Sequence, residues 1–507
     1  MTALSLKILK FKNYQLLILS FVIAVSIFFR FWQIRNYVVF LGDEGRDMMV
    51  MRKIFTEKRL PFLGPTASVG GFYLGPAYYW MAAPFLWLFR FDPVGPSYFV
   101  AALGVGTVWL LYKLLKEPVG FWPAIAASSL YATAPLIVRY ARSSWNPNPL
   151  PFFALLVVYF LYLGVTKERV IFFLLAGASF GIAIQLHYLA IILLAISGLI
   201  VLVNTHFKKW PIIFILTFLG SLITFSPFLG FEIKNDFPNF KTILEFVTRG
   251  TTVGFKTSNL IGLASNIGNI LLEDLTKIQG TLITKVIFWV LTLGGLFGLA
   301  KYWRQKNKKF IFSASLIWFI GGILGLRFYA GQIFDYYFEF MFVAPFLLLG
   351  SVLALAWPNR FMRLLAVVFL VTTIFFFVSN SLFKHQPNRL IDQTTYVAEF
   401  VVEKAGDQPF NFALISDHNS DHAYRYFLEV KAKKPKELEE IVTDQLLVVC
   451  ESQKCAPLGH PIWEIAGFGR AEIAGEWELA DIGIKVFKLT HWLGAPNPAG
   501  KPAIKGG

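Results

Sequence analysis

Charge is what this sequence lacks. Only 15% of its 507 residues are Asp, Glu, Lys or Arg, against about a quarter in soluble domains. Apolar residues make up 56%. That excludes an ordinary water-soluble enzyme and leaves a polytopic membrane protein. Cysteine is nearly missing too. Cys450 and Cys455 form one C-x4-C pair with no second pair to complete a metal site. A local disulfide, if that region lies outside the cytosol, and two free thiols are both open readings. No small-residue cleavage site follows the first apolar run, so it reads as an uncleaved anchor. The formal charge of +16 comes without a basic helix or an aromatic–basic array, which excludes nucleic acid as a partner.

What is present is apolar and aromatic. The 53 phenylalanines suit lipid-facing surface. Apolar runs occur at about 14–34, 76–91, 96–114, 119–138, 149–165, 169–186, 188–204, 211–231, 281–300, 310–326, 338–356 and 361–379. The run 76–91 is short and holds Pro76 and Pro84. If it crosses, the basic clusters after it (Lys113 and Lys116, Lys208 and Lys209, "KYWRQKNKK" at 301–309) all fall outside. If it does not cross, they fall inside with Lys7, Lys10 and Lys12, as the positive-inside rule requires. The expected fold is therefore a polytopic α-helical membrane protein of about eleven spans. From about Ser381, strand-like pieces ("FNFALIS", "QLLVVC") alternate with polar turns and predict a small extracytoplasmic α+β domain. Expected boundaries are 1–380 for the membrane domain, 381–490 for the α+β domain and 491–507 for a disordered tail.

This topology puts 35–95, 139–148, 232–280 and 327–337 on the outer face. There "FLGDEGRDMMVMRKIF" brings Asp43, Glu44, Arg46 and Asp47 together. It reads as a helix capped by Asp43, with Met48, Met51 and Phe55 on one face lying on the membrane. The alternative is that Asp43 and Glu44 only cap and pair with Arg46 or Arg52. The turn "IVRYARSSWNPNPLPFF" supplies Arg139, Arg142, Trp145 and Asn146; "IQLHYLA" supplies His187; "GLRFYAGQIFDYYFEF" supplies Arg327 and Tyr336. Arginines at membrane depth need partners or snorkel to headgroups. In "GGFYLGPAYYWMAAP", glycines would admit a ligand or lipid to the backbone, and Tyr78 and Tyr79 would stack a sugar or prenyl chain or form an aromatic belt. "SDHNSDH" at 416–422 reads as a solvated turn before a metal site.

A carboxylate, arginines and aromatics at a membrane surface suit transfer of a sugar from a lipid phosphate. A phosphate leaving group is already a stable anion, so one base for the acceptor hydroxyl and cations for the phosphate suffice. Arginine's fork matches two phosphate oxygens. Single displacement inverts the anomeric centre.

The "DE" after the first span, the "GPAYYW" segment and the late outer turn "FYAGQIFDYYFEF" resemble the membrane-integral glycosyltransferases of the C superfamily (GT-C). Within it the chain is most similar to the protein mannosyltransferase and lipid A aminoarabinose transferase group, over about residues 10–380. The resemblance implies a polyprenyl-phosphate sugar donor, an external active site in the plasma membrane and a catalytic Asp, here Asp43 with Glu44 beside it. It implies that Arg142 and Arg327 hold the carrier phosphate; Arg139 as a further phosphate contact, and Tyr78, Tyr79, Trp145, Asn146, His187 and Tyr336 at the substrate, are expected from their own place on the outer face. Two positions depart from the pattern. Asn146 stands where relatives carry a second Asp, and Gly75 where many carry Lys or His. The missing acid argues against a bridging metal; no cofactor is called for, and no residue pattern supports a divalent ion. The acceptor is a lipid, a glycan or a protein. The rival readings are a lipid-linked sugar flippase, against which stands the lack of a repeat between halves, and a glycan polymerase or ligase.

Overall fold

In a computed structural model of the protein, the described residues are 3–67, 70–249, 260–277, 281–329, 333–452, 454–492 and 494. The final stretch read as disordered lies almost wholly outside them. The chain forms two compact units. One comprises Met1–Ile34, Leu60–Ala82 and Pro96–Gln386; the other comprises Arg35–Arg59, Ala83–Gly95 and Pro387–Gly507. The tail therefore packs with two pieces of the 35–95 segment that sequence reading assigned to the membrane domain.

The membrane unit is helical, as expected. Among the described residues, seven helices are long and apolar enough to cross a bilayer, from Asn13–Phe31 to Arg360–Ser379. Asp335–Met341 and Ala344–Ala356 make an eighth if this pair, bent by 52°, is one span. The other expected runs are helical but shorter: Phe121–Thr133 with Pro135–Tyr140, Ile171–Leu186, and Ile192–Asn204. The doubtful run forms Ala77–Leu88, 12 residues, or about 18 Å against a hydrocarbon core of about 30 Å, too short to span.

The break in the 119–138 run has a local cause. Ala134 precedes Pro135 and leaves the helix at φ −58°, ψ 122°, because a proline ring crowds the residue before it out of the helical region. The carbonyls released there need donors. Arg30, fully buried in the first helix, supplies them: Nη1 donates to Ala132 O at 2.9 Å and Nη2 to Tyr131 O at 3.5 Å.

The second unit has a four-stranded sheet. β1 (Asn411–Ile415) and β2 (Gln445–Cys450) pair in parallel, and β3 (Ala471–Leu479) and β4 (Ile484–His491) complete the order β1-β2-β4-β3. Both predicted strands are present. β1 and β2 are buried along their whole length, the mark of strands covered on both faces. The helix His422–Val430 lies in the β1–β2 connection. Ile415, Leu446, Val448, Phe487 and Leu489 centre the core. Cys450 and Cys455 are joined in a disulfide.

Candidate functional site

The acidic helix runs Gly42–Thr56 and belongs to the second unit. Asp43 does not cap it. The N-cap is Leu41, whose side chain has no acceptor. Asp43 is the second residue of the helix, its side chain 53% exposed, and its Oδ1 accepts from Arg46 Nη1 at 3.0 Å. Arg46 is held from its other side by buried Asp47, whose Oδ1 accepts from Nε at 3.0 Å and Nη2 at 2.9 Å. The pairing with Arg46 that sequence reading gave as the plain alternative is thus present, with Asp43 still open to solvent.

The apolar face of this helix also departs from expectation. Met48 and Met51 are fully buried, and Phe55 stacks on Trp87, centroids 5.9 Å apart. The helix packs on His422–Val430 of the tail rather than on lipid. A Cβ on Gly45 would come within 2.4 Å of the Ala423 amide nitrogen, so only glycine allows this approach.

Glu44 is buried and turned back: Oε2 accepts from the Leu41 amide at 3.0 Å. Burial pushes its carboxyl up to about 8 from an ordinary 4.5, against the pull of the Leu41 hydrogen bond. A carboxyl protonated in the fold and ionised when unfolded stabilises fully below the unfolded value and loses this contribution as pH rises through the folded one. Raising pH from 6 to 9 should therefore lower the thermal midpoint of the second unit in the wild type. Glu44→Gln, neutral throughout, should lack that component; equal slopes for the two proteins would exclude it.

The "SDHNSDH" turn is structural chemistry. Asp421 pairs with Arg425, and Asp417 Oδ2 accepts from Ser452 Oγ at 3.2 Å. Among the described residues, no group of three His, Cys, Asp or Glu is arranged to hold a metal.

In the membrane unit, three segments expected as outer turns converge. Asp335 Oδ2 accepts from Arg139 Nη2 at 2.6 Å and its Oδ1 from the Tyr140 hydroxyl at 2.5 Å. Burial, with the Asp335 carboxylate second, holds the Tyr140 phenol well above its usual value. Asn146 Nδ2 donates to Leu186 O at 2.7 Å, tying the first turn to the end of Ile171–Leu186. There His187 stacks on Tyr188 at 4.9 Å and meets Tyr337 at 5.7 Å. Trp145 lies edge-on to Tyr336 at 4.8 Å. Trp145, Asn146, His187 and Tyr336 therefore share one cluster, with Arg139 and Asp335 tied to the same turns.

Other site residues are placed differently. Arg142 is buried, and its two Nη atoms donate to Phe29 O and Trp32 O, each at 2.7 Å, with the guanidinium over Phe383 at 5.3 Å. It satisfies carbonyls at the end of the first helix. Arg327 is buried at the end of Lys306–Leu326. Tyr78 and Tyr79 are 0% and 2% exposed, the Tyr78 hydroxyl 2.6 Å from Ser144 Oγ. They are packing residues whose ring faces are covered. The space beside Gly75 is filled by the chain itself, since a Cβ there would lie 2.3 Å from Gln185 Cγ.

Tyr140 and Arg30 were not singled out in the sequence. For Arg30 a signal existed, a charge inside an apolar run. For Tyr140 none did, because a tyrosine at a membrane boundary is ordinary.

Residues 74–231 match the family described as dolichyl-phosphate-mannose-protein mannosyltransferase. No curated protein sequence matches the chain. Among solved structures the fold is similar to ArnT from Cupriavidus metallidurans bound to undecaprenyl phosphate. That match has a TM-score of 0.61 and 14% identity, over 94% of this chain and 98% of that one. It is also similar to the archaeal oligosaccharyltransferase AglB from Archaeoglobus fulgidus in complex with an inhibitory peptide and a dolichol-phosphate. There the TM-score is 0.50 and the identity 14%, over 86% of this chain and 69% of that one. The resemblance read from the sequence is thus matched in three dimensions: the chain has a fold shared with ArnT and with the archaeal oligosaccharyltransferase, and its residues 74–231 carry the mannosyltransferase family match.

Proposed function

We propose that this protein is an inverting glycosyltransferase that moves a sugar from a polyprenyl-phosphate donor to an acceptor at the outer face of the plasma membrane. The convergence of the turns at 139–148, 187–188 and 335–337 carries the reading, since it groups a cation, a carboxylate and aromatic rings in the membrane unit. Both solved relatives were captured with a polyprenyl-type phosphate, which supports a lipid-phosphate donor here.

Asp43 is the general base that takes the acceptor proton. Its solvent-open carboxylate suits that role; buried Glu44, turned onto the Leu41 amide, does not. Arg139 and Arg327 are the donor-phosphate candidates, because the Arg142 forks already serve main-chain carbonyls. Trp145, His187 and Tyr336 offer ring faces and edges to the sugar, with Asn146 fixing their turn. The donor's phosphate leaves as an anion, so no acid need protonate it.

The test is turnover by the full chain in lipid nanodiscs. Undecaprenyl-phosphate-linked, tritium-labelled hexoses and pentoses are supplied one at a time, with the native membrane glycan and lipid fraction as acceptor. Label should appear on an acceptor with inverted anomeric configuration, and Arg139→Ala should raise the donor KM about tenfold or more. Movement of intact donor across the bilayer without sugar release would establish the flippase reading instead. Release only from oligosaccharide-linked donors would establish the polymerase reading.

A further inference from the structure

The helix bearing Asp43 begins on a residue that cannot cap it. Leucine at the N-cap has no side-chain acceptor, yet a helix start leaves amides without intrahelical partners. The Leu41 amide is taken by Glu44 from within the helix. The Gly42 amide is taken from elsewhere in the chain: it donates to Asn419 Oδ1 at 2.9 Å, across 377 residues.

Asn419 is itself held in one orientation. Its Nδ2 donates to Glu451 Oε1 at 3.1 Å and Oε2 at 3.3 Å. An ionised carboxylate only accepts, so the amide nitrogen must face Glu451 and the oxygen must face Gly42. The Tyr424 hydroxyl donates to Glu451 Oε1 at 2.6 Å and fixes the carboxylate. Glu451 follows the last residue of β2, and its amide donates to Ile415 O at the end of β1 at 2.9 Å. An uninterrupted chain of hydrogen bonds thus runs from the sheet through Glu451 and Asn419 to the residue before Asp43. The loop between β1 and the 422–430 helix, singled out in the sequence as a turn or metal site, is the cap of the acidic helix.

We propose that Asn419 is a positioning residue for Asp43, oriented by Glu451. This rests on the reading of Asp43 as the general base. A cap that sets the first turn sets the height and rotation of the carboxylate on the next residue, and small misplacements of a catalytic group cost rate heavily.

The experiment uses the full chain in nanodiscs and the labelled donors above. Asn419→Ala should lower kcat about ten- to a hundredfold, leaving the donor KM within about twofold, because the Asn419 side chain is taken up by Gly42, Ser420 and Glu451. Asn419→Asp should be equally poor, since its carboxylate would face Glu451. The double variant Asn419→Asp with Glu451→Gln restores a hydrogen bond between 419 and 451, with donor and acceptor exchanged, and leaves a carboxylate oxygen for the Gly42 amide, so it should recover kcat to within about threefold of wild type. Hydrogen exchange of amides 42–46 reads the cap independently of chemistry. It should rise in both single variants and fall back in the double.

Recovery of slow exchange without recovery of kcat overturns the proposal, because the cap would then be structural only. So does a double variant no better than Asn419→Asp, or an Asn419→Ala protein with wild-type kcat. Failure of the base reading is seen separately, as full turnover by Asp43→Asn in a protein whose 42–46 amides stay protected.

Discussion

Asp43→Asn should leave the protein folded and lower transfer about 10²- to 10⁴-fold, the usual contribution of a positioned general base. The substitution conserves shape, and its amide oxygen can still accept from Arg46, which sits 3.0 Å from the native carboxylate. What it removes is the capacity to take a proton from an acceptor hydroxyl. An effect through the ion pair alone would be small, because a pair between half-exposed side chains contributes only about 0–1 kcal/mol. The measurement is kcat and donor KM beside the thermal midpoint. A large fall in kcat at unchanged midpoint is expected, and Glu44→Gln should stay close to wild type in kcat near neutral pH. If instead Asp43→Asn turns over normally, or Glu44→Gln is the variant that stops, the role of Asp43 must be given up.

Gly45→Val is expected to be as damaging, for a mechanical reason. Its Cβ would fall 2.4 Å from the Ala423 amide nitrogen and 2.5 Å from Ala423 Cα and the His422 carbonyl carbon. These are main-chain atoms inside a packed unit and cannot swing aside as a flexible side chain would. Overpacking of this kind costs about 1–3 kcal/mol, occasionally more, so the 42–56 helix should separate from the 422–430 helix. A 15-residue helix without its packed face is marginal in water, and Asp43 would lose its support. Transfer should fall more than about a hundredfold, and hydrogen exchange across 42–56 should rise. Gly198→Ala and Gly230→Ala are the controls. A Cβ at either meets nothing within 4 Å, and alanine is the better helix former, so both should keep activity and stability. Slow exchange across 42–56 in Gly45→Val would show that the close approach does not hold the helix.

The membrane character and most spans could be read from one dimension, because a bilayer imposes a length and an apolarity on each crossing that composition registers directly. The strands at 411–415 and 445–450 were legible because turn residues bound short apolar runs. The break at Ala134 was not, although Pro135 stands in plain sight. A proline says that a helix can end; it does not say that Arg30, a hundred residues away, will satisfy the carbonyls left behind. The candidate site divides in the same way. Trp145, Asn146, His187 and Tyr336 could be singled out by type and by their place at the ends of apolar runs. Tyr78 and Tyr79 have the same type and place, and they are core.

Residue chemistry and its spacing along the chain by themselves determined the solvent each segment would meet, because burial of apolar length in lipid is a local property. They also determined that an acidic helix follows the first span. Only the tertiary structure decided what that helix rests on. Met48, Met51 and Gly45 form an apolar, closely approachable face that a membrane surface or a second helix could cover equally well. The partner, His422–Val430, lies nearly 380 residues further on. Likewise only the fold decided what each arginine meets: Arg139 and Arg142 look alike in sequence, but Arg139 pairs with the Asp335 carboxylate and stays half exposed, whereas Arg142 is buried on main-chain carbonyls.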